Sequence, residues 1–437
     1  KTVRRMRFIS IFLASFWVLS AAWAQVYEWK AEGKPAVRHK YTADPATLVY
    51  KDTLWIFAGE DFEGNQQRTH MENWCVFATT DLVHYREYPV PLRADEFKWS
   101  SGIAYASQVV ERNGTFYWYV STDHTGIGVA VSDRPDGGFR QLGFFMNQDG
   151  FTEDKSAWDA QTTSNPHVRK FCDRYYLYYA ASVDPGNEHI RAKADTLPRR
   201  DRIQQSQQIG VISFKSFPDL LEGKFTHSDK PLLSPRTRVK SDNVVNPSPE
   251  GIEPKPDNLI VVNPSVVYRP TDGKYLLYFK GNIYDPHWRG VHGVALSDSP
   301  TGPFTALDEP VFHIEGASEK LSAEDPFVWY HQNDQCFYAV FKDFNGQFTK
   351  GKPCLAIMSS QDGIHWNLPE HSMFMKKELI LPNGASVEVK RLERPQLLLD
   401  EEGNPEVLYA ACAIDDVNPR IDGGSFNVQI KIRAKKI

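Results

Sequence analysis

A three-part phrase recurs six times along this chain: a polar residue, usually followed by proline, then an apolar run with a turn, then an aromatic strand. It reads Asp44-Pro45 before LWIF, Tyr105-Ala106-Ser107 before FYWYV, and Asn165-Pro166 before YYLYY. It returns as Asn263-Pro264 before YLLYF, Asp325-Pro326 before CFYAVF, and Glu393-Arg394-Pro395 before VLYAA. Each is followed by another strand-like run, in order WCVFATTD, IGVAVSD, IGVISF, HGVALSD, CLAIMSS and FNVQIKI. Short strands repeating at spacings of about 60 residues are the mark of a radial array of four-stranded sheets. The expected fold is all-β: a single β-propeller of six repeats.

The sixth repeat ends after its third strand. Ring closure then needs a strand from elsewhere, and residues 26–30 are available; such closure removes the exposed edges of an open array. The 98-residue spacing from Pro166 to Pro264 is the largest irregularity. It holds two polar stretches, from Arg191 to Gln208 and from Ser234 to Asp257, assigned to loops within or after blade three. Asn113-Gly114 and Asp272-Gly273 sit between apolar runs as hairpin turns.

Lys1, Arg4, Arg5 and Arg7 precede an apolar run from Phe8 to Leu19, and Ala22-Trp23-Ala24 supplies small residues before Gln25. This pattern reads as a secretory signal peptide over residues 1–24, too short to span a membrane comfortably, with a propeller catalytic domain over 25–437. The expected location is secreted or periplasmic after cleavage near Gln25. Without those four basic residues the remainder carries 46 Lys and Arg against 55 Asp and Glu. An acidic protein of that balance is a poor nucleic-acid binder.

Five cysteines, Cys75, Cys172, Cys336, Cys354 and Cys412, form neither a disulfide scaffold nor a CxxC metal pattern. Cys336 and Cys354 fall on adjacent strands, which leaves both a disulfide and two buried thiols open. His124, His287, His292 and His331 show no ligand spacing.

In a propeller the first strand of every blade lines the central channel, so the residues opening those strands converge at one mouth. They are Asp44, Tyr105, Asn165, Asn263, the pair Glu324-Asp325, and Glu393. Several carboxyls at one mouth suit acid/base chemistry, in which one is protonated while another is ionised. A single acid before proline equally well caps a turn; the set as a whole makes that reading weaker.

The repeats ADPATLVYKDTLWIFAGED and AYASQVVERNGTFYWYVSTD, with IGVAVSDRPDGGF, resemble the opening blades of glycoside hydrolase family 43. NPSVVYRPTDGKYLLYFKG with GVALSDSPTGPF is similar to blades of families 43 and 117. The resemblance implies three carboxyls around a sugar at the channel mouth, and five blades, which makes five the alternative to six. It implies Asp44 as the base, but Asn165 stands where the family has its second Asp, and Val262-Asn263-Pro264 where it has its acid Glu. The Glu-x-Pro spacing appears later, at Glu324 and Glu393. The catalytic set is therefore Asp44 as base or stabiliser, Glu324 as acid and Asp325 as its neighbour, with Glu393 in reserve; like charge at close range should raise one member of the adjacent pair. Tyr105, Trp158, Asn165, His167, Asn263, Lys280 and Arg394 are the candidate sugar contacts. No cofactor is required, and a channel-bound calcium ion is left open.

These readings point to a hydrolase, exo-acting on plant or algal polysaccharide fragments. The expected partner is an oligosaccharide or polysaccharide, with no nucleic acid and no membrane span, and the protein a monomer or weak dimer. The competing classes are a glycan-binding propeller without activity, motivated by Asn165 and Asn263, and a phosphorylase or lyase on the same scaffold.

Overall fold

The computed structural model describes residues 27–35, 37, 39–40, 42–60, 71–122, 126–146, 158–159, 162–182, 207–221, 223–236, 255–258, 260–284, 288–314, 323–349, 351, 353–380, 384–413 and 425–436. The expected signal peptide, most of both polar stretches, His124 and His287 lie outside them.

Six four-stranded antiparallel sheets form the blades. The terminal strand β1 (Tyr27–Pro35) belongs to the last of them. Blade one is β2 (Thr42–Tyr50), β3 (Thr53–Glu60), β4 (Asn73–Thr79) and β5 (Arg86–Arg93). Blade two is β6 (Ala104–Arg112), β7 (Thr115–Thr122), β8 (Gly126–Ser132) and β9 (Arg140–Met146). Blade three is β10 (Thr162–Phe171), β11 (Arg174–Ser182), β12 (Gln208–Phe214) and β13 (Thr226–His227), with a short helix α1 (Phe217–Leu221) before its last strand. Blade four is β14 (Val262–Arg269), β15 (Lys274–Tyr284), β16 (Trp288–Ser297) and β17 (Thr305–Ala306). Blade five is β18 (Ala323–His331), β19 (Cys336–Asp343), β20 (Cys354–Ser360) and β21 (Met373–Lys376). A small hairpin, β22 (Glu378–Ile380) and β23 (Ser386–Glu388), precedes blade six. That blade is β24 (Arg391–Leu399), β25 (Pro405–Ala413) and β26 (Ser425–Lys436), completed by β1 on the outer edge of β26.

The aromatic second strands explain themselves once the blades stack. A sheet with one wet face alternates apolar and polar residues, but a blade is covered on both faces, so its middle strands read as unbroken apolar runs. On β7, Phe116, Trp118 and Val120 pack against blade one with Phe57 and Trp74, while Tyr117 and Tyr119 face Tyr175 and Leu177 of blade three. The same division repeats around the ring, through Tyr178 with Leu277, Tyr278 with Phe337, and Tyr338 with Leu408. Val407 and Tyr409 of blade six then meet Ile56 and Phe77 of blade one, which closes the circle. The six-blade expectation and the closing strand both hold.

Of the two alternatives for Cys336 and Cys354, the structure shows the buried thiols. Cys336 is opposite His331 at one end of β19, whereas Cys354 is opposite Asp343 at the other end. Seven residues of extended chain, roughly 23 Å, separate those levels, and both are buried free thiols pushed up to about 11 by burial.

β1 is joined to β26 by an antiparallel ladder running from Tyr27 opposite Lys436 to Pro35 opposite Val428. Removing residues 25–35 bares the edge of β26, and bare edges recruit other chains. The expected result is a lower melting temperature with concentration-dependent association by light scattering; an equally stable monomer would contradict this role.

Candidate active site at the channel mouth

The first strand of every blade carries a bulge near its start. The ladder skips two residues between Ala43 and Ala46, Ala104 and Ser107, Ser164 and His167, Val262 and Ser265, Glu324 and Phe327, and Glu393 and Gln396. In five of the six, the first skipped residue has a left-handed backbone: Asp44 (φ 50), Asn165 (φ 54), Asn263 (φ 54), Asp325 (φ 49) and Arg394 (φ 52). Asp and Asn tolerate this conformation better than other side chains; Arg does not, and strain of that kind gathers at functional sites. Tyr105 is the counterpart in blade two. The register also corrects one expectation: Arg394, not Glu393, stands at the position equivalent to Asp44, and Glu393 corresponds to Glu324.

Charged groups gather on the side of blades five, six and one. The Arg394 Nε lies 3.2 Å from Asp44 Oδ1 and 3.5 Å from Asp325 Oδ2, so one guanidinium joins acids of two blades. Behind it, Lys280 on β15 donates to Glu324 Oε1 at 2.5 Å, Lys342 on β19 stands 3.8 Å from Glu324 Oε2, and Lys342 also donates to Glu393. The neighbours Glu324 and Asp325 thus turn to different cations. Burial pushes the Asp44 carboxyl above the ordinary carboxylate range; Arg394 opposes the shift, while Asp325 and Glu393 add to it. Asp325 and Asp44 in turn raise the Arg394 guanidinium. Asp44 nevertheless keeps 21% of its side-chain exposure, enough to meet a ligand entering the mouth.

The opposite side carries amides at the bulge level, with the Arg169 guanidinium beside His167. Asn165 Nδ2 donates to Asn263 Oδ1 at 2.6 Å, joining blades three and four at the bulge level. His167 lies behind this pair, where its Nε2 accepts the Val266 backbone N–H at 3.2 Å, and burial holds it well below the ordinary histidine value. Tyr105 accepts at its carbonyl from Trp74 Nε1 at 2.8 Å. Trp158 is radially outward of this group. It stacks on Tyr179 with ring centroids 5.8 Å apart and donates to the Ser228 carbonyl beyond β13.

Two residues absent from the expected set lie in or beside the mouth. Lys342 is the first; its signal was a lysine closing the second strand of repeats four and five, as in YLLYFK and YAVFK. The second is Trp99, whose Nε1 donates at 3.0 Å to Thr122, the register partner of Ala104 next to Tyr105.

His292 is buried under the charged side and pushed down to about 3 by burial, with Lys280 adding and Asp325 opposing. His331 is taken up by Asn404 and the Asp334 backbone. Among the described residues no three His, Cys, Asp or Glu side chains are grouped to hold a metal ion, and no helix is long and apolar enough to cross a membrane.

Four carboxyls and three cations at one mouth can exchange protons with a bound hydroxyl or ether oxygen, and the amide side can hold neutral hydroxyls. Over 142 residues the chain is 28% identical to a xylosidase/arabinosidase of Bacteroides ovatus, covering 30% of this chain and 43% of that protein. Over 118 residues it is 30% identical to xylosidase/arabinosidase 43A of Humicola insolens, covering 24% of this chain and 36% of that protein. The chain thus spans less than half the length of either relative. Among solved structures it is similar to a thermostable family-43 glycoside hydrolase at 17% identity and a TM-score of 0.44, covering 78% of this chain and 97% of that one. Residues 33–164 match the model of the Glycosyl hydrolases family 43, a stretch that takes in blades one and two and carries both Asp44 and Tyr105.

Proposed function

We propose that this chain is an exported glycoside hydrolase, exo-acting on plant or algal polysaccharide fragments, with its catalytic groups at the charged side of the mouth. The observation that carries this reading is the meeting of Asp44, Asp325, Glu324 and Glu393 around Arg394, Lys280 and Lys342, with Asp44 inside the stretch matched by the family 43 model. In this reading Glu324 gives its proton to the glycosidic oxygen as the bond from that oxygen to the anomeric carbon breaks. Asp44 takes a proton from the water that attacks the anomeric carbon. Asp325 balances Arg394 beside them, and Asn165, Asn263 and Tyr105 face the sugar's other hydroxyls. A carboxyl raised toward the working pH is the better proton acceptor for such a step.

Both relatives are named xylosidase/arabinosidase, so xylo- and arabino-oligosaccharides come first in the assay. The discriminating measurement compares oligosaccharides with aryl glycosides whose leaving group needs no proton. Glu324→Gln is expected to lose about 10²–10⁴-fold on the oligosaccharide and little on the aryl substrate. If Glu393→Gln shows that split and Glu324→Gln does not, the acid is Glu393. If the unaltered protein cleaves nothing across a broad glycan panel, the hydrolase reading fails.

A second reading is favoured by one contact. The Asn165–Asn263 amide pair occupies two bulges whose counterparts in blades one and five are Asp44 and Asp325, which suits a propeller that binds glycan without cleaving it. Calorimetric binding without hydrolysis would select this reading.

A further inference from the structure

Two lysines in this ring obey one rule. Lys280 is opposite Val262 and Lys342 is opposite Glu324, so both occupy the same level of the second strand in blades four and five. Each reaches forward to the glutamate that precedes the bulge of the next blade, Lys280 to Glu324 and Lys342 to Glu393. The corresponding positions elsewhere are Gly59, Thr122, Ala180 and Ala411, none able to do this. The lysines therefore occur only at the two junctions whose glutamates open on the mouth. Lys342 alone touches both glutamates. Its side chain keeps 18% of its exposure, and its Nζ stands 4.0 Å from the centroid of the Phe344 ring, so a long flexible side chain is held in one place.

We propose that Lys342 is a positioning residue for the hydrolytic step described above, a reading on which this inference rests: it fixes the Glu393 carboxyl and, together with Lys280, the Glu324 carboxyl at set points in the mouth. A glutamate has three rotatable bonds, and a reacting carboxyl displaced by about 1 Å can cost 10²-fold in rate. Glu324 has one oxygen bonded to Lys280 and the other facing Lys342, so its plane is fixed from two blades. The titratable groups around Lys342 are Glu324 and Asp325 on β18, Glu393 and Arg394 on β24, Lys280 on β15, Asp44 on β2 and His292 on β16.

The test is Lys342→Met and Lys342→Arg in the full chain, with kcat and KM on the cleaved oligosaccharide. Methionine is expected to lower kcat by about 10²-fold with KM little changed. Arginine, which keeps the charge, is expected to restore most of kcat. Unchanged kcat in Lys342→Met overturns the assignment, as does a rise in KM alone. If the methionine variant does not fold, Lys280→Met is read the same way, since it frees only Glu324. When Asp44→Asn abolishes turnover but Lys342→Met leaves it intact, the lysine assignment falls and the hydrolase reading stands. If the unaltered protein has no turnover, both fall.

Discussion

Asp44→Asn is expected to lower kcat on every cleaved substrate by about 10²–10⁴-fold, the usual worth of a general base. Unlike loss of the acid, this defect is not relieved by an aryl leaving group, because activation of the attacking water is needed whatever departs. The substitution preserves shape and the left-handed backbone that Asp44 adopts at φ 50, and Asn165 and Asn263 already occupy the same conformation elsewhere in the ring. Melting temperature should therefore stay close to that of the unaltered protein, which separates loss of chemistry from loss of fold. The pH profile supplies a second reading. Burial raises the Asp44 carboxyl and Asp325 contributes in the same direction, so the acidic limb should lie above the ordinary carboxylate value and move down in Asp325→Asn. A limb that stays in place would remove Asp44 from the base role.

The second large effect is on stability in acid. His292 is buried and pushed down to about 3, whereas in the unfolded chain a histidine titrates near 6.5. Below that pH the unfolded chain takes up a proton that the folded protein refuses, so stability falls as the pH drops and the loss levels off only near pH 3. The slope is roughly 1.4 kcal/mol per pH unit for one such group. His167 acts in the same sense, since burial and Arg169 hold it low. Asp44 acts oppositely, because a raised carboxyl gains a proton on folding as the pH falls. Urea melts of His292→Gln and the unaltered protein at pH 7 and pH 4.5 isolate the histidine: the variant should lose clearly less stability between the two. Equal losses would show that His292 takes up no protons on unfolding.

The ring itself was legible because propellers write their architecture locally. Five of the six blade starts carry the bulge as a polar residue before proline, as at Asp44, Asn165, Asn263 and Asp325, and each second strand is apolar on both faces. The two-residue outer strands β13 and β17 had no such signal, being too short to show any period. In the site, sequence brought out Asp44, Glu324, Asp325 and Glu393, but a register offset of one residue hid Arg394's central place. Reading the sixth repeat from Glu393 put the acid in the ring, whereas the ladder gives that level to the arginine. Lys342 escaped for a different reason. Its importance lies in a partner fifty-one residues away in the next blade, and no pattern within a repeat reports a contact between repeats. Trp158 shows the converse, a flat ring that suits sugar stacking in sequence yet packs on Tyr179 two strands out from the channel.

The bulges have an evolutionary consequence. Aspartate, asparagine and arginine all adopt nearly the same backbone there, with φ from 49 to 54, and the fold is held together elsewhere, between the blades. Each bulge is thus a socket whose occupant can change while the scaffold stays as it is. A ring with five such sockets can exchange acid, amide and cation around one axis, so a lineage of these chains could alter its chemistry by single substitutions, Asn165→Asp among the first, without rebuilding the barrel of blades around it.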